Sequence, residues 1–119
     1  MERIERTALK NLIHNDEYAR KVLPFLKEEY FSERFEKVLF REIHDFILKY
    51  NNLPTKEALS IELNNRKDIN DTEYTKITDI LSTLTKEAVD QKWLVETTEK
   101  FCKDRAVHNA ILGGIQILD

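Results

Sequence analysis

The chain has 119 residues, of which 41% are hydrophobic and 34% charged, with 2 glycines, 2 prolines, 1 cysteine and a net charge of -3. That length suits one domain with its own core and no need of metal or disulfide staples. The scarcity of Gly and Pro beside so much charge excludes a β-rich or disordered protein in favour of a helical one.

A pI near 5.7 is also unlike a domain that grips DNA through its phosphates. The lone Cys102 leaves no internal disulfide and fits a reducing compartment. The start, Met1 to Lys10, is charged throughout and lacks the apolar run of a signal peptide. No apolar stretch has membrane-span length, so an intracellular protein without a membrane anchor is expected.

In chain order, a first helix is predicted over Glu2 to His14, with Ile4, Ala8, Leu9, Leu12 and Ile13 at helical spacing. Asn15 or Asp16 caps a second helix carrying Tyr18, Val22, Leu23, Phe25 and Leu26, and Pro24 forces a break near Leu23. Glu28 to Phe31 is a short connection. Ser32 is the expected cap of a two-faced third helix, about Glu33 to Tyr50. Phe35, Leu39, Ile43, Phe46, Ile47 and Tyr50 share its apolar side; Arg34, Lys37, Arg41, Asp45 and Lys49 share the other. Asn51 and Asn52 end it, because Asn tolerates the left-handed conformation.

A fourth helix starts at Pro54 and Thr55, with Thr55 as cap and Ala58, Leu59, Ile61, Glu62 and Leu63 following. Asn64 to Asp71 reads as a loop. Asn70, Asp71 or Thr72 then caps a fifth helix with Tyr74, Ile77, Ile80, Leu81 and Leu84. Thr85 to Ala88 is a turn. No stretch alternates as a strand does, which predicts an all-α fold: a compact bundle of about six helices forming a single domain over residues 1–119.

The last helix, from about Val89 to Leu118, organises the rest. Trp93, Leu94, Thr97, Phe101, His108, Ile111, Leu112 and Ile115 fall on its apolar side, and Glu96, Glu99, Lys100 and Lys103 on the other. From Ala106 onward the charged side gives way to Ala106, Ala110, Gly113, Gly114 and Ile117. A helix apolar all round is covered on both sides, so the second half is expected to leave its own domain for another contact. Small residues let a second helix approach closely. Ala106, Ala110, Gly113, Gly114, Ile117 and Leu118 are therefore the candidate self-association or hairpin-packing face. The ordinary alternative is a helix that ends at Gly113 with its tail folded back.

Little in the sequence points to chemistry. A phosphate-binding loop and a glycine-rich dinucleotide fingerprint are both impossible with Gly113 and Gly114 as the only glycines. His14, His44 and His108 belong to no zinc spacing. His44 and Asp45 are one step apart on a helix, so their side chains should diverge. His108 reads as a core or edge histidine, Cys102 as a small half-buried hydrophobe, and Trp93 and Thr97 as core. Glu28 with Glu29, and Glu96 with Glu99, are solvated carboxylates rather than an acid–base couple. No catalytic, cofactor or metal residue is expected. The basic row Arg34, Lys37, Arg41 and Lys49 is the nearest thing to a DNA- or partner-facing patch. Asp45 interrupts it, and Glu33 and Asp45 are placed to pair with Lys37, Arg41 and Lys49.

Read together, several segments resemble the start of the replicative helicases of T-even-type phages. They are Leu12-Ile13, Val22-Leu23-Pro24-Phe25, Glu29-Tyr30-Phe31, Asn52-Leu53-Pro54-Thr55 before Glu57-Ala58-Leu59, Thr72-Glu73-Tyr74, and Trp93 to Lys100 with Arg105-Ala106 and Asn109-Ala110. Each motif is weak alone; their order and spacing hold from about Leu9 to Ile117. More distantly, the chain is similar to the N-terminal domain of bacterial DnaB helicases.

The resemblance implies a hexameric DNA helicase moving 5′ to 3′ in the cytoplasm of an infected bacterium. This chain would supply its N-terminal collar: a helical head and the first arm of a hairpin, which help hold the hexamer and meet primase or a helicase loader. ATP or GTP, Mg and catalysis would belong to a motor domain outside this sequence, and DNA would be held by the whole hexamer. Two other readings stay open: a small helical DNA-binding or adaptor protein using the basic row, and, with least support, a self-contained enzyme.

Overall fold

The computed structural model describes residues 3–113. Four of its helices start at a short polar side chain that caps them. Asn15 accepts the Tyr18 N–H, Thr55 the Ala58 N–H and Asp90 the Trp93 N–H, while Asn70 and Glu73 form a reciprocal capping box. Each cap fills a donor that the first helical turn leaves without a partner. The resulting elements are α1 Ile4–His14, α2 Asp16–Val22, α3 Arg34–Tyr50, α4 Lys56–Asn64, α5 Asp71–Thr83 and α6 Gln91–Leu112. One 3-10 turn, Glu28–Tyr30, lies between α2 and α3, and no strand occurs among the described residues. The all-α expectation is borne out.

Two boundaries differ from expectation. Glu33, not Ser32, is the N-cap of α3 and makes no side-chain cap bond; the Ser32 hydroxyl turns instead to Glu5. α6 starts at Gln91, two residues later than predicted, and its described length ends at Leu112. Other stop signals act as expected. α2 ends at Val22, just before Pro24, and Asn51 closes α3 with φ 54° in the left-handed region.

α1 is the central strut. It touches α2, α3 and α6, while α5 joins α3 to α4 and α6 lies over α2, α1 and the 3-10 turn. Leu9 and Leu12 of α1 are fully buried with Tyr18, Phe31, Leu39, Ile43, Leu59, Leu63, Ile77, Leu81, Leu84 and Leu94. Phe31 stacks on Phe40 with ring centroids 5.0 Å apart and meets Phe101 edge-on at 6.4 Å, an arrangement aromatic rings prefer.

The buried arc of α3 is rotated from the predicted one. It includes Phe40 and Glu36, whereas Tyr50 is exposed. Likewise Ile61 of α4 lies in solvent. Glu36 is tolerated at 0% exposure because Arg3 and Arg6 of the α1 region both donate to its Oε2, the latter at 2.8 Å. A buried carboxylate needs such partners, since an unpaired one would be strongly destabilising. Beside it, Glu5 takes Arg105 of α6 at 3.3 Å, so one charged cluster ties α1 to both α3 and α6.

Candidate interaction surface

α6 is 22 residues long, about 33 Å at the usual rise. Its core line is Leu94, Thr98 and Cys102, all buried, continued by the half-buried Arg105 and Asn109. Thr98 sits there because its hydroxyl is satisfied: it donates to the Leu94 carbonyl at 2.8 Å and accepts from the Tyr18 hydroxyl at 2.8 Å. Burial pushes that phenol well above its ordinary range, against the opposing pull of the Thr98 hydrogen bond. Burial, with the Glu99 carboxylate adding to it, raises the Cys102 thiol to about 11. Cys102 is thus the small, inert hydrophobe expected.

This line overturns one expectation. Trp93 does not pack into the core but is 52% exposed, and His108, Ile111 and Leu112 face solvent too. The core-facing arc is rotated roughly 80° about the axis from the one drawn through the large apolar residues. Polar-looking Thr98 and small Cys102 make the contact with α2, while bulky side chains stay outside. Only Leu94 and Phe101 belong to both arcs.

Beyond Cys102 no described residue of α6 is buried. Two polar ties hold this half to the body: Arg105 to Glu5, and the Asn109 side-chain amide to the Glu29 carbonyl at 2.9 Å. Of the small-residue face, Ala106 and Gly113 are exposed and Ala110 half-buried. Gly114, Ile117 and Leu118 lie outside the described residues. Ala106 also borders a shallow groove of about 230 Å³ with Phe25, Tyr30, Glu99, Cys102 and Lys103.

The basic row of α3 is engaged within the domain, though by other partners than expected. Arg34 pairs with Glu73 of α5 at 2.6 Å, Arg41 forks onto Glu28 of the 3-10 turn, and Lys37 donates to the Glu28 carbonyl. Lys49 lies over the Tyr50 ring at 5.2 Å. The hydrogen bond from Arg41 holds the Glu28 carboxyl below its usual range. Arg34 also lies over the Phe35 ring, 5.9 Å from its centroid.

The histidines fall in three settings. His14 Nε2 meets the Leu84 carbonyl at 2.9 Å, a structural role. His44 does not diverge from Asp45: Nδ1 and Oδ1 lie 3.5 Å apart at the rim of an open cleft of about 640 Å³. His108 borders a separate cleft with Ile4, Glu5 and Arg105. Among the described residues no cluster of His, Cys, Asp or Glu could hold a metal ion, and no helix is long and apolar enough to cross a membrane.

No family model matches the chain. A DnaB-like replicative helicase of Enterobacteria phage T4 is 34% identical to it over 109 residues, which is 92% of this chain. The chain spans only 23% of that relative's length. The resemblance carried by the sequence motifs is thereby shown: over nearly its whole length the chain is similar to part of a phage DnaB-like replicative helicase.

Proposed function

We propose that this chain is the N-terminal collar domain of a hexameric phage replicative helicase acting in the cytoplasm of the infected host. Its work is architectural. The helical head positions neighbours in the ring and offers a docking surface to primase or to a loader. Nucleotide binding with Mg, hydrolysis and translocation on DNA belong to the rest of the protein. The observation that carries this reading is the similarity to the phage helicase across 92% of the chain. The long α6, with no buried side chain past Cys102 among the described residues, supports it by leaving a helical arm available.

On this reading Ala106, Ala110, Gly113, Gly114, Ile117 and Leu118 form the face packed by the second arm of the hairpin or by a neighbour. Glutamate at Ala110 and Gly114 of the full-length protein would put charge where two helices must meet closely. Light scattering should then show a smaller assembly, and primase should bind less tightly. An unchanged hexamer with unchanged primase binding refutes the assignment of this face.

A further inference from the structure

Where the end of α3 meets α4, the surface carries a groove of about 140 Å³. Glu42, Asp45, Phe46, Lys49 and Tyr50 line it from α3, and Glu62 lines it from α4. Phe46 and Tyr50, one helical turn apart, form its aromatic wall, with ring centroids 4.7 Å apart. Phe46 is half-buried, and Tyr50 is 47% exposed. The end of α3 is fixed at the next residue. Arg20 of α2 donates to both the side-chain and the main-chain oxygen of Asn51, each at 2.9 Å. The wall is therefore preformed.

Three carboxylates and one ammonium share the groove. Glu42 is neutralised by Arg66 at 2.7 Å. Asp45 has only the His44 ring, with Nδ1 at 3.5 Å. Glu62 makes no ion pair among the described residues. Against these two stands Lys49, whose Nζ lies over the Tyr50 ring at 5.2 Å. The ring thus attracts a cation from its own chain, and negative charge is still left over beside it.

We propose that this groove takes one arginine side chain from an extended, basic segment of a partner protein. Volume sets the kind of occupant. The groove is well below the ~300–1,000 Å³ of a small-molecule pocket, and one long side chain fills it. Charge sets the sign, because unbalanced carboxylates attract a cation and repel nucleic-acid phosphates. Shape chooses between cations. A guanidinium is planar, so it stacks on a ring and forks onto a carboxylate at once; an ammonium is a point charge that does neither. Lys49 is then a competitor built into the site: it fills the ring face until an arginine displaces it. The groove shares no residue with the small-residue face of α6, so either assignment can fail alone.

A chemical-shift titration of the 119-residue chain with Nα-acetyl-arginine amide, read at the ring protons of Phe46 and Tyr50, tests it. A single side chain binds with a Kd on the order of millimolar, so saturable shifts are expected. The citrulline analogue keeps the shape without the charge and should bind about tenfold more weakly or worse. The lysine analogue keeps the charge without the plane and should bind about threefold more weakly. Glu62→Gln should weaken arginine binding about threefold, whereas Lys49→Gln, which removes the competing cation, should tighten it about threefold. A second copy of the chain as occupant would instead move these resonances with protein concentration and no probe. Absence of saturable shifts, equal binding of either analogue, a response to protein concentration alone, or Glu62→Gln and Lys49→Gln acting in the same direction overturns the proposal.

Discussion

Replacing Thr98 by valine should destabilise this domain more than replacing Tyr18 by phenylalanine, although each removes the same hydrogen bond. Both side chains are fully buried, and the proton order between them is settled by geometry. The Thr98 hydroxyl donates to the Leu94 carbonyl, so it must accept from Tyr18. In Tyr18→Phe the threonine keeps its donor bond and loses only an accepted one, a cost of about 1 kcal/mol. In Thr98→Val the packing volume is nearly kept, but a buried hydroxyl proton is left with no acceptor, at about 2 kcal/mol. The double variant contains no orphan and should cost about 1 kcal/mol, some 2 kcal/mol less than the sum.

Urea unfolding followed by far-UV circular dichroism reads all three values. Each kcal/mol corresponds to a melting shift of roughly 3–6 °C for a domain of this size. An additive double variant, or a Thr98→Val cheaper than Tyr18→Phe, refutes the relay. The same pair sets an alkaline limit. The native state favours the neutral phenol, so its stabilisation is complete below the ordinary phenol value of 10.0 and drains away as pH rises above it. Tyr18→Phe should be less sensitive to that rise.

Cys102, raised from 9.0 to about 11, should react with iodoacetamide at mildly alkaline pH about a hundredfold more slowly than in the urea-unfolded chain; equal rates would contradict its burial. Leu94→Ala should cost about 3 kcal/mol by leaving a cavity, whereas Trp93→Ala should cost under about 1 kcal/mol despite removing the larger side chain. Reversal of that order in denaturant titrations would restore Trp93 to the core. At Asn51, alanine should destabilise by about 1 kcal/mol because the left-handed backbone penalises a plain Cβ, while glycine should change stability by less than about 0.5 kcal/mol. Melting curves showing both substitutions alike would remove the backbone argument.

Helix limits and caps were legible because their cause is local. Asn15, Thr55 and Asn70 each stand where a chain enters a helix, and their oxygens reach N–H groups within three residues. The phase of α6 was not, because it depends on what lies across the interface. Thr98 looks polar until Tyr18, eighty residues away, supplies its partner, and only then can the core line run through it. Glu36 was missed for the same reason: nothing near it in sequence announces that Arg3 and Arg6 will neutralise it. The basic row was read as a solvated face paired along its own helix. Its actual partners, Glu73 and Glu28, sit on other elements and could not be read from spacing along α3.

The uneven anchoring of α6 has a mechanical consequence. Among the described residues the last buried side chain is Cys102, and the described helix runs ten residues further to Leu112, about 15 Å. A rotation of about 10° at the anchored end would therefore carry the tip through nearly 3 Å, the scale on which one side chain exchanges its neighbour for the next. Arg105 on Glu5 and Asn109 on the Glu29 carbonyl act as guy lines on this lever. The first is a partly buried ion pair, with Arg105 half-buried and Glu5 buried, so salt screens it only weakly. The angle at which the arm is held is therefore set at Arg105 and Asn109 rather than by buried packing.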